Sequence, residues 1–313
     1  GLRRSKLRFH AHGEGELAHY AKAAFDIEYE FPIGWQEIEG IHNRSAFDLT
    51  DRGVAASTYL ATTRASMEDI ADKLFPRAPE PDEGPSVELV EFDPDAEVRL
   101  VTAMLYPYTD QPESVIEAKV RSLPVRDRVA IVRAYVGDRT NRRHRPGRAL
   151  ERPMYRFDVL ADYGAFRDLQ RHRMLTIEWQ PLSPGHGYTR PEAVDDAGCA
   201  DAFDESMGRS RDLHDALAER FPAQAAYAVA LAYRVRFSMQ MNAREAMHLI
   251  ELRSAPQGHP AYRKVAQEMH RLIAEKAGHH AVAAAMRFAD HSPEPQLERL
   301  AGERRAEQRR LSR

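Results

Sequence analysis

The chain has 313 residues, of which 43% are hydrophobic and 30% charged, so we expect about two domains and a sizeable core. The 45 lysines and arginines almost balance the 48 aspartates and glutamates, and the resulting net charge of -3 argues against a general nucleic-acid-binding protein. The single cysteine, Cys199, excludes an internal disulfide, and no apolar run is long enough for a transmembrane helix. These features predict a cytoplasmic protein without a membrane span.

The N-terminal part of the chain differs in composition from the rest. Residues 1–52 are dense in aromatic and acidic side chains. Apolar steps of three and four residues then predict a helix over 54–75, with one face formed by Leu60, Thr63, Met67, Ile70 and Leu74. Four prolines in 76–85 predict a linker, because proline continues neither a helix nor a central strand. We therefore expect a helix and linker at 53–85, a folded domain at 86–295 and a charged tail at 296–313.

Strands and helices are mixed irregularly beyond the linker. Alternating apolar residues predict strands at 87–92 and 155–159. Helical spacing predicts helices at 96–106, 112–123, 124–137, 201–220, 242–253, 260–276 and 279–289. Because strand and helix do not alternate regularly, the pattern favours an α+β fold over a doubly wound sheet.

An Arg-His-Arg triplet at 171–173 is the first candidate for a ligand site. Guanidinium groups match the geometry of a phosphate and keep their charge, so two of them around an imidazole suit a pyrophosphate or an electron-rich ring. A solvated charge cluster explains an isolated triplet equally well.

The predicted helix at 242–253 is the second candidate. Asn242 is a favourable helix cap, and Arg244 and His248 share a face because they are four residues apart. Arg253 lies nine residues beyond Arg244, which places it on the opposite side of the helix. Taken alone, this pattern favours an amphipathic surface helix with an arginine near its C-terminus.

Together the two segments resemble the flavin-dependent thymidylate synthase family over residues 86–290. The family signature contains Arg-His-Arg and, further on, a helix with Asn-x-Arg, then His or Asn, then Leu-Arg. This chain reproduces the triplet, with Thr176 where the family has a serine. It also reproduces Asn242, Arg244, His248 and the Leu252-Arg253 pair, with Gln257 as a looser match.

The resemblance implies a mixed β-sheet with flanking helices, a homotetramer, and reductive methylation of dUMP to dTMP. NADPH would reduce FAD, and methylenetetrahydrofolate would supply the one-carbon unit. Arg253 would be catalytic and would bind the nucleotide together with Gln257. The residues implied to contact FAD are Arg171, His172, Arg173, Asn242, Arg244 and His248.

Two positions depart from the family signature. Pro181 stands where a serine is expected, and Ser183 stands where a nucleotide-binding arginine is expected. FAD binding is therefore predicted ahead of dUMP turnover, and a non-catalytic flavin- or nucleotide-binding homologue is the alternative. Three arginines are candidates to replace the missing contacts: Arg145, Arg148 and Arg190.

Residues 7–49 resemble part of a different family, the glycyl-tRNA synthetases. The resemblance rests on the run from Gly34 to Arg44, and it implies that Glu37 would meet the amino group of glycine. About fifty residues are too few for a stable synthetase site, so we expect a non-catalytic remnant or an artefact of assembly. A synthetase-related protein is kept as a further alternative.

No metal site is predicted. The pairs His10/His12 and His279/His280 lack carboxylates or cysteines at the spacing of a ligand set. The sequence also lacks a glycine-rich phosphate loop of either common pattern.

Overall fold

A computed structural model describes residues 4–12, 23–31, 34–43, 54–75 and 86–293, with Arg304, Glu307 and Gln308 of the tail. The chain divides into two compact units, Gly1–Ala78 and Pro79–Arg313. The boundary falls inside the proline-rich segment 76–85, which lies outside the described residues.

The first unit contains a small antiparallel sheet and one long helix. The sheet has the order β1-β2-β3 and is formed by Leu7–Ala11, Ala23–Phe31 and Gly34–Asn43. Helix α1 spans Val54–Leu74, which confirms the predicted helix. Its predicted apolar face is exposed, with Leu60 63% and Leu74 65% accessible. The side chain of Glu37, which the resemblance assigns to glycine recognition, lies outside the described residues, as does Arg44 at the end of the synthetase-like run.

The second unit combines a four-stranded sheet with helices. Its strands β4 to β7 are Val87–Phe92, Met154–Asp162, Thr176–Trp179 and Arg234–Asn242. Its helices α2 to α11 are Ala96–Leu105, Glu113–Ser122, Val125–Val136, Tyr163–Leu169, Glu192–Asp196, Ala200–Arg220, Pro222–Ala225, Ala243–Arg253, Pro260–Glu275 and His280–Ala285. No helix in the described part of the chain combines the length and apolar character needed to cross a bilayer.

The sheet of the second unit has the order β4-β5-β7-β6, and every neighbouring pair is antiparallel. Phe157 of β5 pairs with Met239 of β7, and both side chains are fully buried. Along β7 the buried residues alternate with more accessible ones, so one face of the sheet packs into the core. Each large apolar side chain buried there contributes about 1.5–3 kcal/mol.

Strand β7 leads directly into α9. Asn242 is the last residue of the strand, and its Oδ1 accepts a hydrogen bond from the Glu245 backbone N–H at 2.9 Å. This cap satisfies a backbone N–H group that the first helical turn leaves without a partner. The predicted cap is therefore present, and the sheet fixes where α9 begins.

The helices and the antiparallel sheets confirm the predicted α+β fold. The four-stranded sheet is antiparallel throughout, rather than the mixed β-sheet that the family resemblance implied. The sequence interpretation contained no strand at 176–179 or 234–242 and no helix at 163–169. It was also wrong about the last helix, which ends at Ala285 rather than near 289. The chain leaves helical geometry at Met286, whose φ and ψ are -82° and 53°.

Candidate functional site

A cleft of about 450 Å³ is lined by α9, by the loop that precedes β5 and by the loop that follows α5. Among the described residues that line it, seven are arginines and three are glutamates, an excess of four positive charges. The arginines are Arg139, Arg142, Arg145, Arg171, Arg173, Arg244 and Arg253. Such a charge excess suits an anionic ligand.

His172 lies at the base of the cleft in a hydrogen-bonded chain. Its Nδ1 is 2.9 Å from Oε1 of Glu245, and both side chains are buried. The Nε of Arg253 lies 3.1 Å from Nε2 of His172. Arginine can only donate, so Nε2 is the acceptor and the proton of a neutral ring is on Nδ1, directed at Glu245. Glu245 thereby fixes both the tautomer and the orientation of the imidazole.

Arg253 is held on two further sides. Its Nη2 donates to the Asp168 carbonyl oxygen at 2.6 Å, and its Nη1 donates to Asp168 Oδ1 at 3.3 Å. The guanidinium carbon lies 5.3 Å from the centre of the Tyr262 ring, within cation–π range. Three of its five N–H groups are thus engaged, which leaves two for a ligand.

The segment from Arg139 to Pro146, here called the arginine loop, forms one wall of the cleft. The Arg139 guanidinium is buried and makes a bidentate pair with Glu251, at 2.6 and 2.7 Å. Its remaining N–H groups donate to the carbonyl oxygens of Arg142, His144 and Ala285. All five donors have acceptors, so one buried side chain fixes the backbone of the loop.

A second connection joins the arginine loop to the start of α9. Arg244 donates through Nε to the Pro146 carbonyl oxygen at 3.2 Å and through Nη1 to Glu151 at 2.9 Å. Glu151 also accepts from Arg148, whose hydrogen bond is the main cause of the lowered pKa of the Glu151 carboxyl. The loop is therefore tied to both ends of α9.

Four cleft arginines lack a carboxylate partner among the described residues: Arg142, Arg145, Arg171 and Arg173. All but Arg142 are exposed, and Arg142 is half-buried. The cleft therefore carries cationic groups that no carboxylate within the described part of the chain neutralises.

His248 faces the same cleft, 5.4 Å from His172 between ring centres. Burial lowers the pKa of its imidazole, the Glu245 carboxylate opposes that shift, and nearby cations reinforce it. The ligand atoms of His172, Glu245 and His248 lie within 4.8 Å of one another, as in a metal site. Both nitrogens of His172 already have partners, one of them a guanidinium, so we interpret His172 as part of a hydrogen-bonded chain with Glu245 and Arg253.

The structure brings together nearly all of the site residues predicted from the sequence. Arg171, His172 and Arg173 line the same cleft as Asn242, Arg244, His248 and Arg253. Arg244 and Arg253 were expected on opposite sides of the helix, yet both line the cleft. Their long side chains bend from the two ends of α9 toward the same space.

Gln257 is exposed and does not line the cleft, and neither do Pro181 and Ser183. Among the candidate replacement arginines, Arg145 lines the cleft. Arg148 pairs with Glu151, and Arg190 pairs with Asp195 and Asp204 away from it.

Sequence reasoning missed the groups that hold the site together. Arg139 and Glu251 are 112 positions apart, and Glu245 is 73 positions from His172. The basic stretch at 139–148 was visible in the sequence, but nothing there indicated which of its arginines is buried. The only available signal was a pair of glutamates within a cationic helix.

Residues 88–278, more than half of the chain, match the sequence model of the family described as "Thymidylate synthase complementing protein". A UPF0159 protein of Chlamydia pneumoniae is 41% identical over 182 residues, which are 58% of this chain and 34% of that protein. The chain spans less than half of the length of the curated relatives of this kind.

Two further similarities were found. A glycine–tRNA ligase of Treponema denticola is 64% identical over 50 residues, or 16% of this chain and 11% of that enzyme, in a short N-terminal segment. A crystal structure of a UMP/dUMP methylase PolB from Streptomyces cacaoi, bound with 5-Br UMP, has a TM-score of 0.49 and 18% identity, and covers 67% of this chain and 99% of that one. The two family resemblances read from the sequence are confirmed by the family match and the relatives.

Proposed function

The chain belongs to the thymidylate synthase complementing protein family, and we propose that it is a flavin-dependent thymidylate synthase. The proposed reaction is the reductive methylation of dUMP to dTMP, with methylenetetrahydrofolate as one-carbon donor, NADPH as reductant and FAD as cofactor. The observation that carries the proposal is the convergence of residues 171–173 and α9 on one cationic cleft. The proposal extends to a homotetramer, as the family resemblance implies, and to a cytoplasmic location, as the composition predicts.

The donor set of the cleft fits FAD. A dinucleotide carries a pyrophosphate, and guanidinium groups without carboxylate partners supply the charge-assisted hydrogen bonds that such a group accepts. Arg171, Arg173 and Arg244 would bind the cofactor, with His172, Asn242 and His248 beside it. Bound FAD would supply the hydride chemistry, which leaves the protein to bind, orient and exclude water.

Arg253 is the residue proposed to act on the nucleotide. Its guanidinium is oriented by Asp168 and His172, and its two remaining N–H groups are available to the pyrimidine ring. A cation that is already oriented stabilises negative charge developing on that ring without further reorganisation. Glu245 acts indirectly. Its carboxylate orients the ring of His172, and Nε2 of that ring accepts a hydrogen bond from Arg253.

The first test is whether the purified full chain binds flavin. We expect a yellow protein, or one that turns yellow when loaded with FAD, and a large loss of FAD affinity in Arg171→Ala. Arg167→Ala is the matched control, because Arg167 is an exposed arginine that does not line the cleft. A wild-type chain that cannot be loaded with FAD, or equal affinities in both variants, would overturn the assignment.

A non-catalytic flavin-binding homologue is the second candidate function. One observation favours it: Pro181 and Ser183 stand where the family signature has a serine and a nucleotide-binding arginine. Release of tritium from dUMP labelled on the carbon that receives the methyl group separates the two candidates. Release above background supports the enzyme, whereas flavin binding without release supports the homologue.

A further inference from the structure

The arginine loop is rigid in its backbone and cationic at its surface. Arg139 fixes the carbonyl oxygens of Arg142 and His144 from inside, and the Asn141 side chain accepts from the Arg143 backbone N–H at 2.9 Å. At its end, Pro146 accepts from Arg244. A loop whose conformation is fixed in this way loses little entropy when it binds a ligand.

Two side chains of this loop enter the cleft without a carboxylate partner in residues 86–293. They are Arg142 and Arg145. Both are near enough to His248 to contribute, after burial, to the lowered pKa of its imidazole. Arg143 belongs to the same loop and is exposed, but it does not line the cleft. Of the three arginines at positions 142–145, the loop therefore directs Arg142 and Arg145 toward the same space as Arg171.

Like charges held close together in a partly desolvated cleft repel one another, and an anion removes that repulsion. Phosphate esters fit best, because they offer several acceptor oxygens and match the planar guanidinium fork in a bidentate geometry. We propose that Arg142 and Arg145 form a phosphate subsite for a nucleotide ligand of this cleft. The inference rests on the proposed function, because that function supplies the nucleotide.

Two phosphates could occupy the subsite: the monophosphate of dUMP and the pyrophosphate of FAD. Both sources are phosphate esters, but each has its own analogue without phosphate. Deoxyuridine is dUMP without the phosphate, and riboflavin is FAD without the pyrophosphate and adenosine. Comparing dUMP with deoxyuridine isolates the contribution of the phosphate, and comparing FAD with riboflavin isolates that of the pyrophosphate together with the adenosine.

The test uses the full chain and the double variant R142Q/R145Q, with R143Q as the control of equal chemistry in the same loop. Isothermal titration measures the affinity for dUMP, deoxyuridine, FAD and riboflavin, and thermal unfolding checks that each variant is folded. We expect R142Q/R145Q to weaken dUMP or FAD binding about ten-fold or more, because each lost contact is a charge-assisted hydrogen bond. Deoxyuridine and riboflavin affinities should stay unchanged, and R143Q should bind all four as wild type does.

Each outcome assigns the subsite or removes it. A selective loss for dUMP places the substrate phosphate there, and a selective loss for FAD places the cofactor pyrophosphate there. The inference is overturned if R142Q/R145Q loses as much affinity for deoxyuridine or riboflavin as for the matching nucleotide. It is also overturned if the variant loses no affinity for either nucleotide, or if the wild type binds neither. If the wild type binds FAD and R142Q/R145Q binds dUMP and FAD with unchanged affinity, the subsite is removed and the proposed function is retained.

Discussion

The buried ion pair between Arg139 and Glu251 allows a quantitative test of how the arginine loop is held. The side chains are 3% and 2% exposed, so water cannot compensate either charge. Glu251→Gln preserves the size of the side chain but leaves the guanidinium buried opposite a neutral amide. Breaking a buried pair from one side costs about 3–5 kcal/mol. At about 2–4 °C per kcal/mol for a unit of this size, the melting temperature should fall by about 6–20 °C.

Thermal unfolding followed by circular dichroism measures this change. The control is Glu117→Gln, which breaks an exposed pair with Arg121 four residues away and should leave the unfolding midpoint almost unchanged. A Glu251→Gln midpoint equal to that of the control would refute the reasoning, because it would mean that the pair is hydrated or absent in solution.

A second variant separates charge burial from loop anchoring. Replacing the pair with Arg139→Met and Glu251→Leu together should be less destabilising than Glu251→Leu alone, because no charge stays buried without a partner. It should still be less stable than wild type, because the carbonyl oxygens of Arg142, His144 and Ala285 lose their donor. Full recovery of wild-type stability would contradict the anchoring role of Arg139.

Three further predictions concern single positions. Glu245→Ala should cost about 1–3 kcal/mol by leaving the buried Nδ1–H of His172 without an acceptor, while Glu245→Gln should recover most of that loss and keep the same tautomer in nitrogen NMR spectra. Gly147→Ala should cost about 1–3 kcal/mol in chemical denaturation, because the added methyl group would overlap the Tyr135 ring and hydroxyl. Tyr135→Phe should relieve part of that loss, and no relief would place the strain elsewhere. Burial lowers the pKa of His248 from its ordinary 6.5, so the unfolded chain binds the proton more tightly. Its contribution to stability should therefore be complete above pH 6.5 and be lost as the pH falls toward the lower folded pKa, and His248→Asn should flatten that slope in pH-dependent unfolding.

Local rules predicted much of this fold. The long helices were found because their apolar spacing, caps and flanking prolines act within a few residues, as Pro124 and Gly137 do around α4. Strand β7 was missed even though Val235, Phe237 and Met239 alternate with polar residues. Its placement between β5 and β6 depends on pairing with residues far away in the chain, and single-sequence patterns do not report such pairing.

The candidate site also contains residues that the sequence could predict and residues that it could not. Residue types that match a family signature could be named from the sequence, including Arg171 and Arg244. The ionic partners could not be named, because which of several arginines is buried depends on the packing of α9 against a loop about one hundred residues earlier. Arg139 and Arg142 look alike in the sequence, yet one is a buried anchor and the other faces the cleft.

The direct passage from β7 into α9 means that no flexible residue separates sheet from helix. Adding one residue after Asn242 would rotate α9 by about 100°, while β7 stays locked between two hydrogen-bonded neighbours. His248 and Arg253 would then turn away from the triplet at 171–173. The hydrogen-bond register of β7 therefore sets the direction in which the cleft-lining side chains of α9 point. A shift of that register would rotate these side chains relative to the cleft.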